Sequence, residues 1–240
     1  GAIMLTFNLA GLFGIGRVRE AVEDLSEAIR LNPNDQHAYL ERAWCHRCLE
    51  SYDKEIEDYT EVLRLDPNNE EASYRRGHRY QRLGRYREAI KDLSEAIRLN
   101  PDDSGTFHDR GACYGNLGEN LEAIADYSEA IRLQPDSPDI FYSRGICYDD
   151  LREYRSAIDD YTEALRLQPD HTEAIYRRGY RYARLGEYQK GVKDLTDVIK
   201  LQPGHGDAYY YRGRCYAELG EHRAAIEDMT KGFRLEPDHH

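Results

Sequence analysis

Seven of the eight prolines recur at a fixed interval of 34 residues. Each ends a copy of one phrase, which reads YTEVLRLDP in one copy and LSEAIRLNP in another. Self-similarity at a period of this length is typical of a solenoid, in which each repeat covers the apolar face of the next. The prolines are Pro33, Pro67, Pro101, Pro135, Pro169, Pro203 and Pro237. They divide the chain into seven repeats, 2–35, 36–69, 70–103, 104–137, 138–171, 172–205 and 206–239.

Each repeat contains two stretches with the spacing of an amphipathic helix. Apolar or small residues recur at repeat positions 4, 8, 11 and 14, and again at positions 20, 21, 24, 27 and 28, which is helical periodicity. Glycine at position 15 separates the stretches in most repeats, where a left-handed residue ends the first helix, and proline stops the second. We predict an all-α fold of fourteen antiparallel helices, two in each repeat. Glycine at position 8 is expected to let the partner helix approach closely.

The opening GAIMLTFNLAGLFGIG is apolar around the whole helix and fits the register of the first repeat. Leu5, Leu12 and Gly16 fall at positions 4, 11 and 15, so we interpret the stretch as a glycine-interrupted first helix rather than a targeting segment. It is also too short to span a bilayer. The last helix is expected to leave a second apolar face, formed by Ile226, Met229 and Phe233. We therefore expect the apolar opening to be covered by an upstream portion of a longer protein or by another molecule, and the last helix to need a cover as well. Among self-associated forms, a closed homodimer through the terminal repeats is favoured over open end-to-end stacking.

The composition of the chain limits which classes of partner and which cellular compartment we expect. The net charge is −12, and because an acidic surface repels phosphate backbones, we predict no nucleic acid partner. With 40% hydrophobic and 32% charged residues, the chain is not a polytopic membrane protein, and no membrane partner is predicted. The five cysteines lie within helical stretches, which favours free thiols in a reducing, cytoplasmic compartment. Cys45 and Cys48 lack a second pair of metal ligands, so we expect buried thiols, no metal and no cofactor.

Taken together, these features resemble the tetratricopeptide repeat family. The shared pattern is a 34-residue helix–turn–helix with Gly at position 8, Tyr at 11, Ala at 20 and 27, and Pro at 32. The resemblance covers the whole chain and implies one right-handed α-solenoid over residues 1–240, whose first helices line a concave groove. Two repeats depart from the pattern at position 20, where Glu55 and Gly191 replace alanine. The carboxylate clamp known in the family needs Lys at position 5, which no repeat has.

Two charged positions are predicted to be architectural. Asp occupies position 23 in all seven repeats, and Arg occupies position 7 in six, with Asn8 in the first repeat. Since only the first repeat lacks both the arginine and a predecessor, we expect each arginine to pair with the aspartate of the repeat before it. Exposed pairs of this kind contribute little to stability unless they are desolvated and bidentate.

Aromatic residues mark the surface that we expect to bind a ligand. Tyrosine at positions 11, 17 and 24 is assigned to the core, whereas core packing does not explain tyrosine at position 5. The resemblance places positions 2, 5, 9 and 12 in the groove, which would then be an aromatic ladder with an acidic edge. Such a surface suits an extended peptide with apolar, proline or basic side chains. The predicted ligand-binding residues are Trp44, Glu71, Tyr74, His78, His108, Tyr142, Ile146, Tyr176, Tyr180, Tyr210 and Arg214.

These features predict a non-catalytic scaffold that binds a peptide segment of another protein, since no catalytic motif is recognisable in the sequence. The alternatives are a solvated tyrosine-rich face without a ligand, and a structural solenoid that self-assembles through its ends. Two further arginine stripes admit two interpretations, either anion sites or pairing between repeats with Glu41, Asp109, Asp150 or Glu218. Pairing is the favoured one. The stripes are Arg75, Arg79 and Arg82 in the third repeat, and Arg177, Arg181 and Arg184 in the sixth.

Overall fold

The computed structural model describes the backbone of residues 9–236 and the side chains of residues 14–236. Every regular element within that range is an α-helix, so the all-α prediction is confirmed. The chain divides into two compact units, Gly1–Leu117 and Gly118–His240, which we call the N-terminal and C-terminal bodies. None of the described helices is both long enough and apolar enough to cross a membrane.

The described part of the N-terminal body consists of six helices. Each packs against the next one along the chain, and α4 also contacts α6. They are α1 (Leu9–Leu31), α2 (Gln36–Cys48), α3 (Tyr52–Leu65), α4 (Glu70–Arg82), α5 (Tyr86–Leu99) and α6 (Ser104–Asn116). The body is therefore a series of helical hairpins in which the first helices α4 and α6 also touch each other.

The C-terminal body follows the same plan with seven helices in its described part. Consecutive helices again pack together, and α10 also contacts α12. They are α7 (Asn120–Leu133), α8 (Pro138–Asp150), α9 (Tyr154–Leu167), α10 (Thr172–Arg184), α11 (Tyr188–Leu201), α12 (Gly206–Glu218) and α13 (His222–Leu235).

Local capping explains why the first helices begin where they do. From α2 to α12, each first helix begins at position 1 of its predicted repeat, so their starts recur every 34 residues. The residue before each start is an N-cap. Asp35 accepts a hydrogen bond from the N–H of Ala38 at 3.1 Å, and Asn69 accepts one from Ala72 at 2.9 Å. A side-chain acceptor at this place satisfies an amide that has no partner within the helix.

Within the first repeat, the span from Leu9 to Leu31 that we label α1 consists of two helical stretches that meet at Gly14, where the backbone is not helical. The described residues thus contain thirteen labelled helices, and the break of the first repeat lies at Gly14 rather than at Gly16, the residue at position 15. Gly14 has φ 70° and ψ 140°, a conformation that glycine adopts without steric cost. The predicted contacts of Ile3, Leu5, Phe7 and Leu12 lie outside the described side chains.

Close packing explains the glycines at position 8. A Cβ atom added to Gly145 would lie 2.7 Å from the ring of Tyr161, and one added to Gly213 would lie 2.7 Å from Met229 and 3.0 Å from the carbonyl oxygen of Ala225. Real Cβ atoms do not approach other atoms so closely, and overpacking of this kind is destabilising. The predicted close approach of the partner helix is confirmed.

The turn between the two helices of a repeat uses a left-handed residue at position 15. Gly84, Gly118, Gly186 and Gly220 have φ between 73° and 82°, as predicted, but Glu50 (φ 56°) and Arg152 (φ 62°) adopt the same region without being glycine.

We expect Glu50→Gly and Arg152→Gly each to raise the free energy of unfolding by about 1 kcal/mol, because glycine relieves the steric cost of a positive φ. Urea unfolding measures the change. Gly186→Arg is the reverse control and should lose a similar amount; equal stability of all three variants would contradict the argument.

The position-7 arginines bind a different aspartate from the predicted one. Arg144 donates to both carboxylate oxygens of Asp160, at 2.7 and 2.8 Å, and Asp160 belongs to the same repeat rather than the preceding one. The prediction was wrong because positions 7 and 23 face each other across a single hairpin. The link to the preceding repeat is made instead by Nη1 of Arg144, which donates to the hydroxyl of Ser128 at 2.9 Å. The same double contact occurs at Arg42, Arg76, Arg178 and Arg212.

Tyrosine and cysteine form much of the core. Tyr59 and Tyr161 at position 24 are fully buried, as predicted, whereas the tyrosines at positions 11 and 17 are half-buried. The four cysteines at position 10 are buried free thiols. Burial raises the pKa of Cys45 to about 11 and that of Cys113 to about 12, so both stay protonated and unreactive at neutral pH.

Candidate functional site

The predicted site residues lie on the first helices of the repeats, and we call the side of each body that carries them its first-helix face. All are half-buried except Glu71 and Arg214, which are exposed. In the N-terminal body they are Trp44 on α2, Glu71, Tyr74 and His78 on α4, and His108 on α6. In the C-terminal body they are Tyr142 and Ile146 on α8, Tyr176 and Tyr180 on α10, and Tyr210 and Arg214 on α12.

In the N-terminal body, the site is fixed by hydrogen bonds between α4 and α6. The hydroxyl of Tyr74 donates to Oδ2 of Asp109 at 3.2 Å, and its ring centroid lies 6.0 Å from that of His78. Burial raises the pKa of Tyr74 above its usual value and lowers that of His78. Glu71 accepts a hydrogen bond from Nε of Arg75 at 2.7 Å. Tyr74 and His78 therefore present neutral polar rings beside a neutralised carboxylate.

In the C-terminal body, aromatic rings form a connected series from α10 to α13. Ring centroids are 6.4 Å apart between Tyr176 and Tyr180, and 4.6 Å apart between Tyr180 and Tyr211. The series continues from Tyr211 to Tyr210 at 5.3 Å and from Tyr210 to Phe233 at 5.6 Å. Separations of this size are those of interacting aromatic pairs. We call these five residues the aromatic row.

Two members of the aromatic row, Tyr211 and Phe233, and two histidines beside the site were not among the ligand-binding residues predicted from the sequence. Tyr211 falls at position 6, which was not assigned to the groove, although the run YYYRG was a visible signal. His171 and His205 cap α10 and α12 by accepting an amide hydrogen at Nδ1. The ring centroid of His171 lies 4.7 Å from that of Tyr142, and the ring centroid of His205 lies 4.6 Å from that of Tyr176. The one sequence signal for these histidines is their place directly before a first helix, which is an N-cap position and gives no indication of the ring contacts.

The position-5 tyrosines contribute to packing, contrary to the sequence-based expectation. Tyr74, Tyr142 and Tyr176 each pack against a cluster of buried apolar residues. In the C-terminal body, the rings of Tyr142 and Tyr176 also lie against the capping histidine of the following helix. A substitution at position 5 would therefore disturb the fold as well as any bound ligand. Position 9, which holds Ile146 and Tyr180, is better suited to a binding test.

Pairing between repeats is confirmed for the central arginine of each stripe, but the predicted partners were wrong. Nε of Arg79 lies 2.7 Å from Glu55, and Nε of Arg181 lies 2.7 Å from Asp149. Both carboxylates are buried. Each guanidinium also covers a tyrosine of the preceding repeat, Tyr52 at 4.3 Å for Arg79 and Tyr154 at 4.7 Å for Arg181.

Neighbouring members of the stripes are bound differently. Arg75 pairs with Glu71 on its own helix, and Arg177 donates to the hydroxyl oxygen of Tyr142 at 3.1 Å. Arg82 and Arg184 are exposed. The stripes are thus mainly structural, with one exposed arginine left at the end of each.

Two cavities of the C-terminal body differ in their relation to the predicted site. A cavity of about 160 Å³ lies between α10 and α12, where Tyr211 and Arg214 line it. A larger, open cleft of about 590 Å³ lies between the second helices α9 and α11 and includes none of the predicted site residues. Only the smaller one belongs to the first-helix face.

Several solved structures have a similar fold. YrrB, described as a TPR protein with an unusual peptide-binding site, superimposes with a TM-score of 0.69 over 77% of this chain and 95% of its own, at 22% sequence identity. MamA gives a TM-score of 0.64 over 67% of this chain and 94% of its own, at 24% identity. A tetratricopeptide repeat protein from Parabacteroides merdae gives a TM-score of 0.69 over 83% of this chain and 79% of its own, at 21% sequence identity. No curated protein sequence matches the chain.

Sequence models of one family account for most of the chain. Tetratricopeptide repeat models match residues 138–171, residues 70–103, and residues 11–70 together with 176–231. A further TPR repeat model matches residues 113–151. These matches agree with the 34-residue spacing of the helices and with the folds of the similar structures. The chain belongs to the tetratricopeptide repeat family.

Proposed function

We propose that this protein is a non-catalytic scaffold that binds a peptide segment of a partner protein along its first-helix faces. The aromatic row of the C-terminal body is the observation that carries the proposal. Tyrosine combines a large apolar ring with a polar hydroxyl, so adjacent tyrosines can hold both the side chains and the backbone of a peptide. The likeness to YrrB, a protein described as having a peptide-binding site, supports this choice.

The proposed contact residues are those predicted from the sequence, together with Tyr211. We expect an affinity near micromolar, roughly −8 kcal/mol, because the ordering of an extended peptide offsets much of its contact energy. The proposal assigns no chemical step to the chain. It also places the protein in the cytoplasm, since buried free thiols suit a reducing compartment.

The test replaces two position-9 side chains and measures peptide binding. A library of random 12-residue peptides displayed on phage is selected against the parent chain, and the peptides recovered are titrated against Ile146→Ala/Tyr180→Ala. We expect binding to weaken roughly 10- to 100-fold, because a few aromatic and apolar contacts dominate such interfaces. Circular dichroism checks that the variant stays helical.

Ile226→Ala/Leu121→Ala is the matched control. Both side chains are apolar and exposed, at 69% and 67%, but they lie on the second helices α13 and α7. This control should bind as the parent does. Unchanged binding by Ile146→Ala/Tyr180→Ala would contradict the proposed face.

The alternative function is self-association through α13. Ile226 and Phe233 are exposed on this helix, as predicted, whereas Met229 is half-buried because it packs on Gly213. Exposed apolar side chains close together mark association surfaces. This function needs no ligand on the first-helix face, so a selection that recovers no peptide would favour it.

A further inference from the structure

We propose that the cavity between α10 and α12 is a subsite for the carboxylate side chain of an acidic residue in the bound peptide. The inference rests on the proposed function, because it assigns one part of the same first-helix face. It changes the expected ligand from the basic or apolar peptide suggested by the sequence to one that carries a negative charge at this place.

Two arginines without partners border the cavity. Arg184 at the end of α10 and Arg214 on α12 are both exposed, and neither forms a hydrogen bond or an ion pair with another residue of the described part of the chain. The preceding arginines of the same stripe are engaged, Arg177 with Tyr142 and Arg181 with Asp149. Arg184 is thus the member of its stripe that remains available to a ligand.

The charge of the cavity matches one carboxylate. Its lining contains the two arginines and one acidic residue, Glu218, so its formal charge is two positive minus one negative, or +1. A single carboxylate neutralises this charge, whereas a phosphate dianion would leave an excess negative charge beside Glu218 in a chain whose net charge is already −12. Guanidinium groups bind carboxylates through paired N–H donors.

Glu218 itself does not satisfy the arginines. It follows Arg214 by one turn of α12, yet no ion pair joins the two side chains. Pairs of this kind on an exposed helix surface are weak even when they form. A carboxylate that reaches both guanidinium groups at once therefore competes favourably with Glu218.

The walls of the cavity indicate what should accompany the acidic residue. Tyr211 lines the cavity. Its ring centroid lies 4.6 Å from that of Tyr180, the neighbouring residue in the aromatic row. The Tyr211 hydroxyl is hydrogen-bonded to Tyr180, and burial raises the pKa of Tyr211, so Tyr211 adds no negative charge to the cavity. A volume of about 160 Å³ is large enough for the side chain of Asp or Glu. The predicted motif is an acidic residue next to an apolar or aromatic residue, which would lie on Tyr180 and Tyr176.

The experiment selects the phage library of random 12-residue peptides against the parent chain and against Arg184→Glu/Arg214→Glu. We expect the parent to recover peptides enriched in Asp or Glu beside an apolar or aromatic residue. The charge-reversed variant should lose this preference and favour Lys or Arg. In a recovered peptide made synthetically, replacing the acidic residue by Gln or Asn should weaken binding at least tenfold in the parent and little in Arg184→Gln/Arg214→Gln.

Arg223→Glu/Arg234→Glu is the control for net charge. It makes the same change in charge at two exposed arginines of α13, outside the cavity, and should keep the preference of the parent. Peptides that bind with no acidic preference would overturn this inference and leave the proposed function standing. A library from which the parent recovers no peptide would overturn both.

Discussion

Replacing Glu55 alone by Ala is expected to lower the free energy of unfolding by about 3–5 kcal/mol, the usual cost of removing one partner from a buried ion pair. Glu55 is only 2% exposed, and the Arg79 side chain that binds it is 13% exposed. Without the carboxylate, the guanidinium would keep its charge in a place that water hardly reaches. Urea or thermal unfolding measures the loss.

Replacing both partners is expected to cost far less. Glu55→Ala/Arg79→Cys installs the residues found at the equivalent places one repeat further on, Ala89 and Cys113, which lie in one buried apolar cluster. Since that junction between repeats packs with apolar residues at both places, we expect the double variant to lie within about 1–2 kcal/mol of the parent. Additive losses from Glu55→Ala and Arg79→Cys would contradict the coupling.

The same pair should make stability depend on pH. Burial raises the pKa of Glu55 above its ordinary value of 4.5, and Arg79 offsets this only in part. The folded protein therefore holds this proton to a higher pH than the unfolded chain does. The contribution of this proton to the free energy of unfolding is fully present below pH 4.5, and it is lost as the pH rises through the pKa of Glu55 in the folded protein. We expect the double variant to gain stability relative to the parent over that range, and a difference independent of pH would contradict this.

Arg144→Ala is expected to cost about 2–4 kcal/mol, because it leaves the buried carboxylate of Asp160 without its charged partner. Arg144 makes two hydrogen bonds to Asp160 and one to Ser128, so its loss loosens a hairpin and its contact with the preceding repeat. Burial raises the pKa of Asp160, and Arg144 acts in the opposite direction.

The matched control is Arg132→Ala in the same body. Arg132 pairs with Glu129 at 2.6 Å, as short a distance as in the buried pair, but the side chains are 62% and 38% exposed. Water and salt screen such a pair, so its removal should change stability little. Equal losses from Arg144→Ala and Arg132→Ala would show that burial does not decide the strength of these pairs.

Much of the fold follows from local sequence. The turn glycines and prolines, together with capping residues such as Asp35 and Asn69, set where helices begin and end, since these are interactions between residues close in the chain. The same reasoning placed the candidate site residues on the first helices. It did not reveal that Tyr74, Tyr142 and Tyr176 support the core, because that depends on the side chains that reach them from neighbouring helices.

The sequence by itself determined the 34-residue period, the pairing of helices within each repeat, the left-handed turns and the close approach at position 8. Only the tertiary structure decided which charges meet, as in the binding of Arg79 to Glu55 and of Arg181 to Asp149, while Arg184 pairs with no other residue between 14 and 236. The reason is geometric. Two charged side chains on neighbouring helices pair only when their polar atoms come within about 3 Å, the length of a hydrogen bond. Whether they do depends on how the two helices are shifted relative to each other, and the periodic pattern of the sequence does not specify that shift.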